Sequence, residues 1–131
     1  MKYTIVLILC LLFFNSCKQE FASTEIETSY KSVMQVHDEV MPEITTINKL
    51  QKQLKPYKES SSVAVELIDR LESAEDGMMD WMAEFKLNKS ADKKIQVDYL
   101  KKEQTRINKV SQDMKSSISM AQAFLDQSKQ K

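Results

Sequence analysis

The chain has 131 residues, with 19 basic and 19 acidic side chains, so its formal net charge is zero. This length suits one small domain, and the charge balance argues against a nucleic-acid partner and against electrostatic attraction to anionic membranes. The single glycine and two prolines fall well below the usual frequencies of about 7 % and 5 %. Because turns depend on such residues, we expect few turns and a few long helices.

The amino-terminal segment has the pattern of an export signal. Lys2 is the only charged residue before Lys18, and residues 5–14 form an unbroken apolar run. A helix that spans a bilayer needs about 20 apolar residues, whereas a short positive start before a short apolar core is typical of a secretory signal peptide. We therefore predict that residues 1–16 are a signal peptide.

The apolar run ends in Phe14, Asn15, Ser16 and Cys17, which resemble the lipobox of bacterial lipoproteins. The resemblance implies that the chain is cut before Cys17, that its sulfur is lipidated, and that the new amino terminus is acylated. Two or more acyl chains hold a protein stably at a bilayer. An ordinary secreted protein with an incidental cysteine and a transmembrane anchor are the alternatives.

The residues after Cys17 indicate where such a protein would reside. Lys18 stands where aspartate often favours retention in the inner membrane, so the resemblance implies the outer membrane, at its periplasmic face or at the cell surface. Residues 17–23 would form a lipidated tether. Cys10 would be removed with the signal peptide and Cys17 lipidated, so we expect no disulfide and no thiol chemistry in the remaining domain.

Three apolar stripes, with residues spaced alternately three and four apart, run through residues 24–128. This spacing is typical of helices that pack side by side. It predicts helices at about 24–55, 61–87 and 91–128. Pro42 interrupts the first stripe without changing its phase, which indicates one kinked helix or, as the alternative, two helices. With short connections, the pattern predicts an all-α, elongated, coiled-coil-like bundle of three antiparallel helices in up-down-up order.

Polar residues occupy a few positions on these stripes. Gln51, Gln104 and Ser111 are expected to point inward, where polar groups can fix helix register at some cost in stability. Ser90 is the predicted N-cap of the third helix, with Asp92 in its first turn.

His37 is the only histidine of the chain and lies on the first stripe. Folding the helices together is expected to place His37 in one layer with Met34, Met41, Met78, Met82 and Trp81, at the level of Tyr99 and Leu100. Four carboxylates are expected around this layer: Asp38, Glu39, Asp76 and Asp80. Thioether and imidazole ligands suit Cu(I), but methionine is also an adaptable core residue. Packing is the favoured interpretation and a Cu(I) site the alternative. Zinc is less suited, because it takes three or four His, Cys or carboxylate ligands.

Catalysis is not expected. A phosphate-binding loop needs several glycines, and the chain has one. A single histidine on a core stripe argues against a nucleophile–base pair, which leaves a hydrolase as the weakest hypothesis. We therefore predict that the chain is not an enzyme and needs neither a cofactor nor a small-molecule substrate.

Three segments of the chain resemble a family of small helical lipoproteins from Bacteroidota, many of them labelled "viral A-type inclusion protein". They read HDEVMP at 37–42, MMDWM at 78–82 and MKSSI at 114–118. The resemblance spans nearly the whole chain after the signal peptide. It implies lipidation and an all-helical body, and it implies no catalytic or binding residue, because the family has no established activity.

Together these patterns predict a membrane-anchored lipoprotein of the bacterial envelope with a non-catalytic helical body. Its role would be structural or would consist of binding another envelope protein. The alternative is a periplasmic helical bundle that binds or senses Cu(I) through His37 and the nearby methionines.

Overall fold

The computed structural model describes residues 23–129, and all regular secondary structure in this range is helical. Helix α1 covers residues 23–40, α2 covers Glu43–Leu54, α3 covers Ser62–Glu84 and α4 covers Lys93–Ser128, with one 3₁₀ turn at Lys55–Tyr57. The prediction of an all-helical protein is therefore confirmed for the described residues. The predicted signal peptide, Cys17 and all but the last residue of the tether lie outside them.

The regular helix is interrupted at Pro42, inside the span predicted for the first helix. Met41 and Pro42 form a turn between α1 and α2, because proline cannot donate the hydrogen bond that a continuous helix needs. The turn is tight: Pro42 keeps helical dihedral angles of −60° and −23°. The N–H of Met41 still donates to the carbonyl of His37 at 2.8 Å.

The apolar stripes of the helices meet in one continuous core. Its most buried members are Val33, Val40, Ile47, Leu50 and Leu54 from α1 and α2, Ala64, Leu67, Leu71, Ala74, Met78 and Trp81 from α3, and Leu100, Ile107, Met114, Ala121 and Leu125 from α4. Burial of a large apolar side chain stabilises a fold by about 1.5–3 kcal/mol. Packing between helices therefore provides the main stabilisation of this thin domain.

Contacts between helices define which levels of the chain lie side by side. Four of them are Tyr30 with Phe85, Asn48 with Glu75, Glu25 with Lys101, and Glu39 with Lys115. As residue numbers rise along α1 and α2, the numbers of their partners fall along α3 and rise along α4. These levels determine which side chains of α3 can reach the region of His37.

The connection between α3 and α4 is longer than the apolar pattern indicated. Helix α3 ends at Glu84, because Phe85 turns out of the helix with dihedral angles of −66° and 105°. The hydroxyl of Tyr99 then accepts a hydrogen bond from the N–H of Lys86 at 2.7 Å. This bond fastens the start of the connection to α4.

The N-cap of α4 is Asp92, so the prediction of Ser90 is wrong. The Asp92 carboxylate accepts a hydrogen bond from the N–H of Lys94 at 2.8 Å. The buried amide of Gln96 donates to the carbonyl of Ala91 at 2.8 Å. Both bonds fix the end of the connection, and the carboxylate also complements the positive end of the helix dipole.

Two substitutions test the core, with a matched control on the surface. Leu71 and Ile107 are both fully buried, so Leu71→Ala and Ile107→Ala should each lower the free energy of unfolding by about 2–5 kcal/mol. Ile95, also on α4, is 60 % exposed, and Ile95→Ala should change it by less than about 0.5 kcal/mol. Urea denaturation of the fragment from residue 21 onward, followed by circular dichroism, measures these values. Equal losses for Ile107→Ala and Ile95→Ala would contradict the assigned core.

Candidate functional site

The imidazole of His37 lies between α1 and α3, with 16 % of its side chain exposed. Its Nδ1 atom is 2.8 Å from a carboxylate oxygen of Asp38, and its Nε2 atom is 3.3 Å from the sulfur of Met82. The ring also packs against Trp81, with the ring centres 5.6 Å apart. The structure thus brings together His37, Met82 and Trp81, as the stripes predicted. Of the four carboxylates expected around this layer, Asp38 is the direct partner of the imidazole.

The other predicted methionines lie on α1, on α3 and in the turn that follows α1. Met78 is fully buried, whereas Met34 and Met41 are partly buried and pack against the core. Met34 precedes His37 by three residues and Met41 follows it by four, and both spacings favour one face of a helix. Met78 precedes Met82 by four residues, so these two residues are neighbours on α3.

Aromatic rings continue from this site toward the connection between α3 and α4. Trp81 stacks on Phe85 with ring centres 4.8 Å apart, and Phe85 stacks on Tyr99 at 5.9 Å. We expected Tyr99 at the level of His37. Tyr99 lies instead against Phe85, which follows Trp81 by four residues. The cause is the eight-residue connection between Glu84 and the start of α4.

Conventional metal ligands do not converge on His37. Among residues 23–129, no group of three or more His, Cys, Asp and Glu side chains could hold a metal ion. Any ion at His37 would therefore depend on methionine sulfur for its further ligands.

Glu103 is a buried carboxylate that the apolar pattern did not indicate. Its side chain is 2 % exposed, and both of its oxygens accept hydrogen bonds from Arg106, at 3.1 and 3.2 Å. Arg106 also donates to Glu84 at the end of α3. The hydrogen bonds with Glu84 and Glu103 raise the pKa of Arg106 above its usual value. The three side chains form a charged network between α3 and α4.

The spacing of the third stripe predicts that Gln104 points inward, because it follows Leu100 by four residues. The structure leaves Gln104 half-buried, with its amide bonded to Asn108 at 3.0 Å. A helix allows an inward residue three or four positions after Leu100, and Glu103 takes that place. The signal in the sequence was Arg106, a potential ion partner three residues after Glu103. Ser111 is buried, as we predicted.

A groove with a volume of about 370 Å³ runs between α3 and α4. It is lined by small and acidic side chains and one arginine: Glu66, Asp69, Arg70, Ser73, Ala74, Asp113, Ser116 and Ser117. Val63, three residues before Glu66, is 51 % exposed, and Met120, four residues after Ser116, is 42 % exposed. Helical spacing places both apolar residues along the same groove.

No family model, no curated protein and no solved structure matches the chain. No helix within residues 23–129 has the length and apolar character needed to cross a bilayer.

Removal of Arg106 tests the charged network. Arg106→Ala would leave Glu103 buried without its partner, which should cost about 3 kcal/mol of unfolding free energy, since breaking a buried pair typically costs 3–5 kcal/mol. Arg70 forms an exposed pair with Glu66, so Arg70→Ala should cost less than about 1 kcal/mol.

A second substitution separates the charge effect from lost packing. Adding Glu103→Gln to Arg106→Ala removes the unpaired charge, so chemical denaturation should show recovery of more than half of the lost free energy. Equal losses for Arg106→Ala and Arg70→Ala would show that burial of Glu103 does not matter.

Proposed function

We propose that the chain is a lipoprotein of the Bacteroidota family that it resembles. Residues 1–16 direct its export and are removed, and Cys17 carries the lipid that holds the protein at the outer membrane, at either the periplasmic face or the cell surface. The helical body acts without catalysis, by binding another envelope protein. The lipobox-like sequence and the helical body support this assignment.

The proposed arrangement is an elongated up-down-up bundle. Contacts between helices support it: α1 and α2 meet α3 with residue numbers running in opposite directions, and they meet α4 with residue numbers running in the same direction. Five residues lie between Cys17 and Ser23, and the stretch from Cys17 to Ser23 reaches at most roughly 20 Å when extended. The bundle therefore stays close to the membrane, where other envelope proteins are within reach.

The groove between α3 and α4 is the observation that carries the binding role. Its small residues Ser73 and Ser116 allow a backbone to approach closely. Val63 and Met120 are exposed and lie at helical spacing from groove residues, so they offer apolar contacts beside it. Gly77 follows Ser73 by one turn, and a Cβ atom placed on it would meet nothing within 4 Å. A groove with this floor fits an α-helix of a partner protein.

Charge identifies the chemistry of that partner. The groove is lined by three carboxylates, Glu66, Asp69 and Asp113, and by one arginine, Arg70, which is paired with Glu66. Complementary potentials steer association and favour specific partners. The partner helix should therefore present basic residues beside an apolar stripe.

The anchor is tested by labelling cells with a fatty acid that can be detected after incorporation. Because Cys17 is the residue expected to accept the lipid, Cys17→Ala should abolish labelling and leave the protein unprocessed or soluble. Cys10→Ala is the matched control and should retain labelling. A processed Cys17→Ala protein that still fractionates with membranes would contradict the lipid anchor.

The groove is tested by placing a photo-crosslinking residue at Ser116, with Gln122 on another face of α4 as the control position. Irradiated envelopes should give a discrete adduct from position 116 only. Asp69→Lys should reduce that adduct several-fold by charge repulsion, whereas Glu59→Lys, outside the groove, should not. Equal adducts from both positions, or an adduct insensitive to Asp69→Lys, would contradict binding in the groove.

A further inference from the structure

We propose that His37 and Met82 form a binding site for a soft monovalent metal ion, with Cu(I) as the ion that their chemistry favours. The site does not depend on the lipid anchor or on the groove, because its atoms lie between α1 and α3. The contact that supports it is the 3.3 Å approach of the His37 Nε2 atom to the Met82 sulfur.

The carboxylate of Asp38 determines which nitrogen of the imidazole is free. A carboxylate only accepts hydrogen bonds, so its 2.8 Å contact with Nδ1 places the proton of a neutral ring on Nδ1. The Nε2 atom then carries a lone pair. A metal-bound histidine shows the same arrangement, since its second nitrogen usually donates to a carboxylate that orients the ring and raises its basicity.

The free lone pair of His37 faces another electron donor. Thioether sulfur is a weak acceptor and has no proton to give, so the neutral ring and Met82 gain little from each other directly. A cation between them would be attracted to both. With bond lengths like those of zinc, about 2.0 Å to nitrogen and about 2.3 Å to sulfur, these two atoms at their observed 3.3 Å separation would form an angle of roughly 100° at the ion.

Further methionines lie at helical spacing from the two proposed ligands. Met34 and Met41 share the His37 face of α1 and its turn, and Met78 lies one turn before Met82 on α3. Soft thioether ligands select Cu(I), whereas divalent hard ions require oxygen ligands. The side chain of His37 is 16 % exposed, which gives an ion a path from solvent.

The only tryptophan of the chain makes the site directly measurable. Trp81 packs on His37 with ring centres 5.6 Å apart, so an ion bound there should quench its fluorescence. Cys10→Ala and Cys17→Ala are introduced first, because thiolates also bind Cu(I). The full chain is then titrated in detergent with Cu(I) under reducing conditions, against a colorimetric Cu(I) chelator.

We expect one equivalent of Cu(I) to bind with a dissociation constant below about 1 μM and to quench Trp81. Loss of an outer partner alone lowers metal affinity about 10–100-fold, and removal of a direct ligand should cost at least as much, so Met82→Leu and His37→Gln should each lower the affinity at least tenfold. Met79→Leu is the matched control, because Met79 is 45 % exposed on the same helix, and it should bind as the parent does.

Circular dichroism verifies that the variants keep their helices, since a volume-conserving Met→Leu change usually costs less than about 1.5 kcal/mol. Binding that is absent, that survives Met82→Leu, or that Zn²⁺ matches in affinity would overturn the proposal. The contact between His37 and Met82 would then serve packing alone.

Discussion

Burial of three apolar stripes in one thin core is the constraint on which the rest of the structure depends. A single helix cannot shield its own apolar face, so each stripe must find the other two. The first stripe has to keep its phase across Pro42, and the tight turn at this residue satisfies that requirement. A wider turn would rotate α1 relative to α2 and would move His37 away from α3.

The same constraint explains where polar groups enter the interior. Glu103 occupies an inward position of α4, and its burial is compatible with stability because Arg106 neutralises it and also bonds to Glu84. Replacing such a buried network with apolar residues can be neutral or stabilising in other proteins. Its role here is to tie the end of α3 to one level of α4, which supports a specific register.

Much of this fold could be predicted from sequence, and the failures have physical causes. In a regular helix, residue spacing determines which side chains share a face, and the apolar stripe of α3 is accordingly buried at Ala64, Leu67, Leu71, Ala74, Met78 and Trp81. Spacing cannot choose between Glu103 and Gln104, since both lie within the inward arc. The residue that caps α4, Asp92 instead of Ser90, also sets the position of α4 along α3. It depends on the connection between these helices, where apolar residues do not recur at a regular spacing.

The candidate site was predictable to the same extent. The stripes placed His37 near Met82 and Trp81, but they could not indicate that the neighbouring Asp38 would bond to Nδ1 and leave Nε2 toward sulfur. The proposed metal site requires the tautomer of His37 with its proton on Nδ1. Nitrogen-15 NMR of this single histidine measures the tautomer most directly. At about pH 8.5, where an ordinary imidazole is neutral, we predict a protonated Nδ1 and an unprotonated Nε2 in the metal-free protein. A proton on Nε2 would contradict the account, because that nitrogen would then donate a hydrogen bond to the Met82 sulfur, and packing alone would explain the contact.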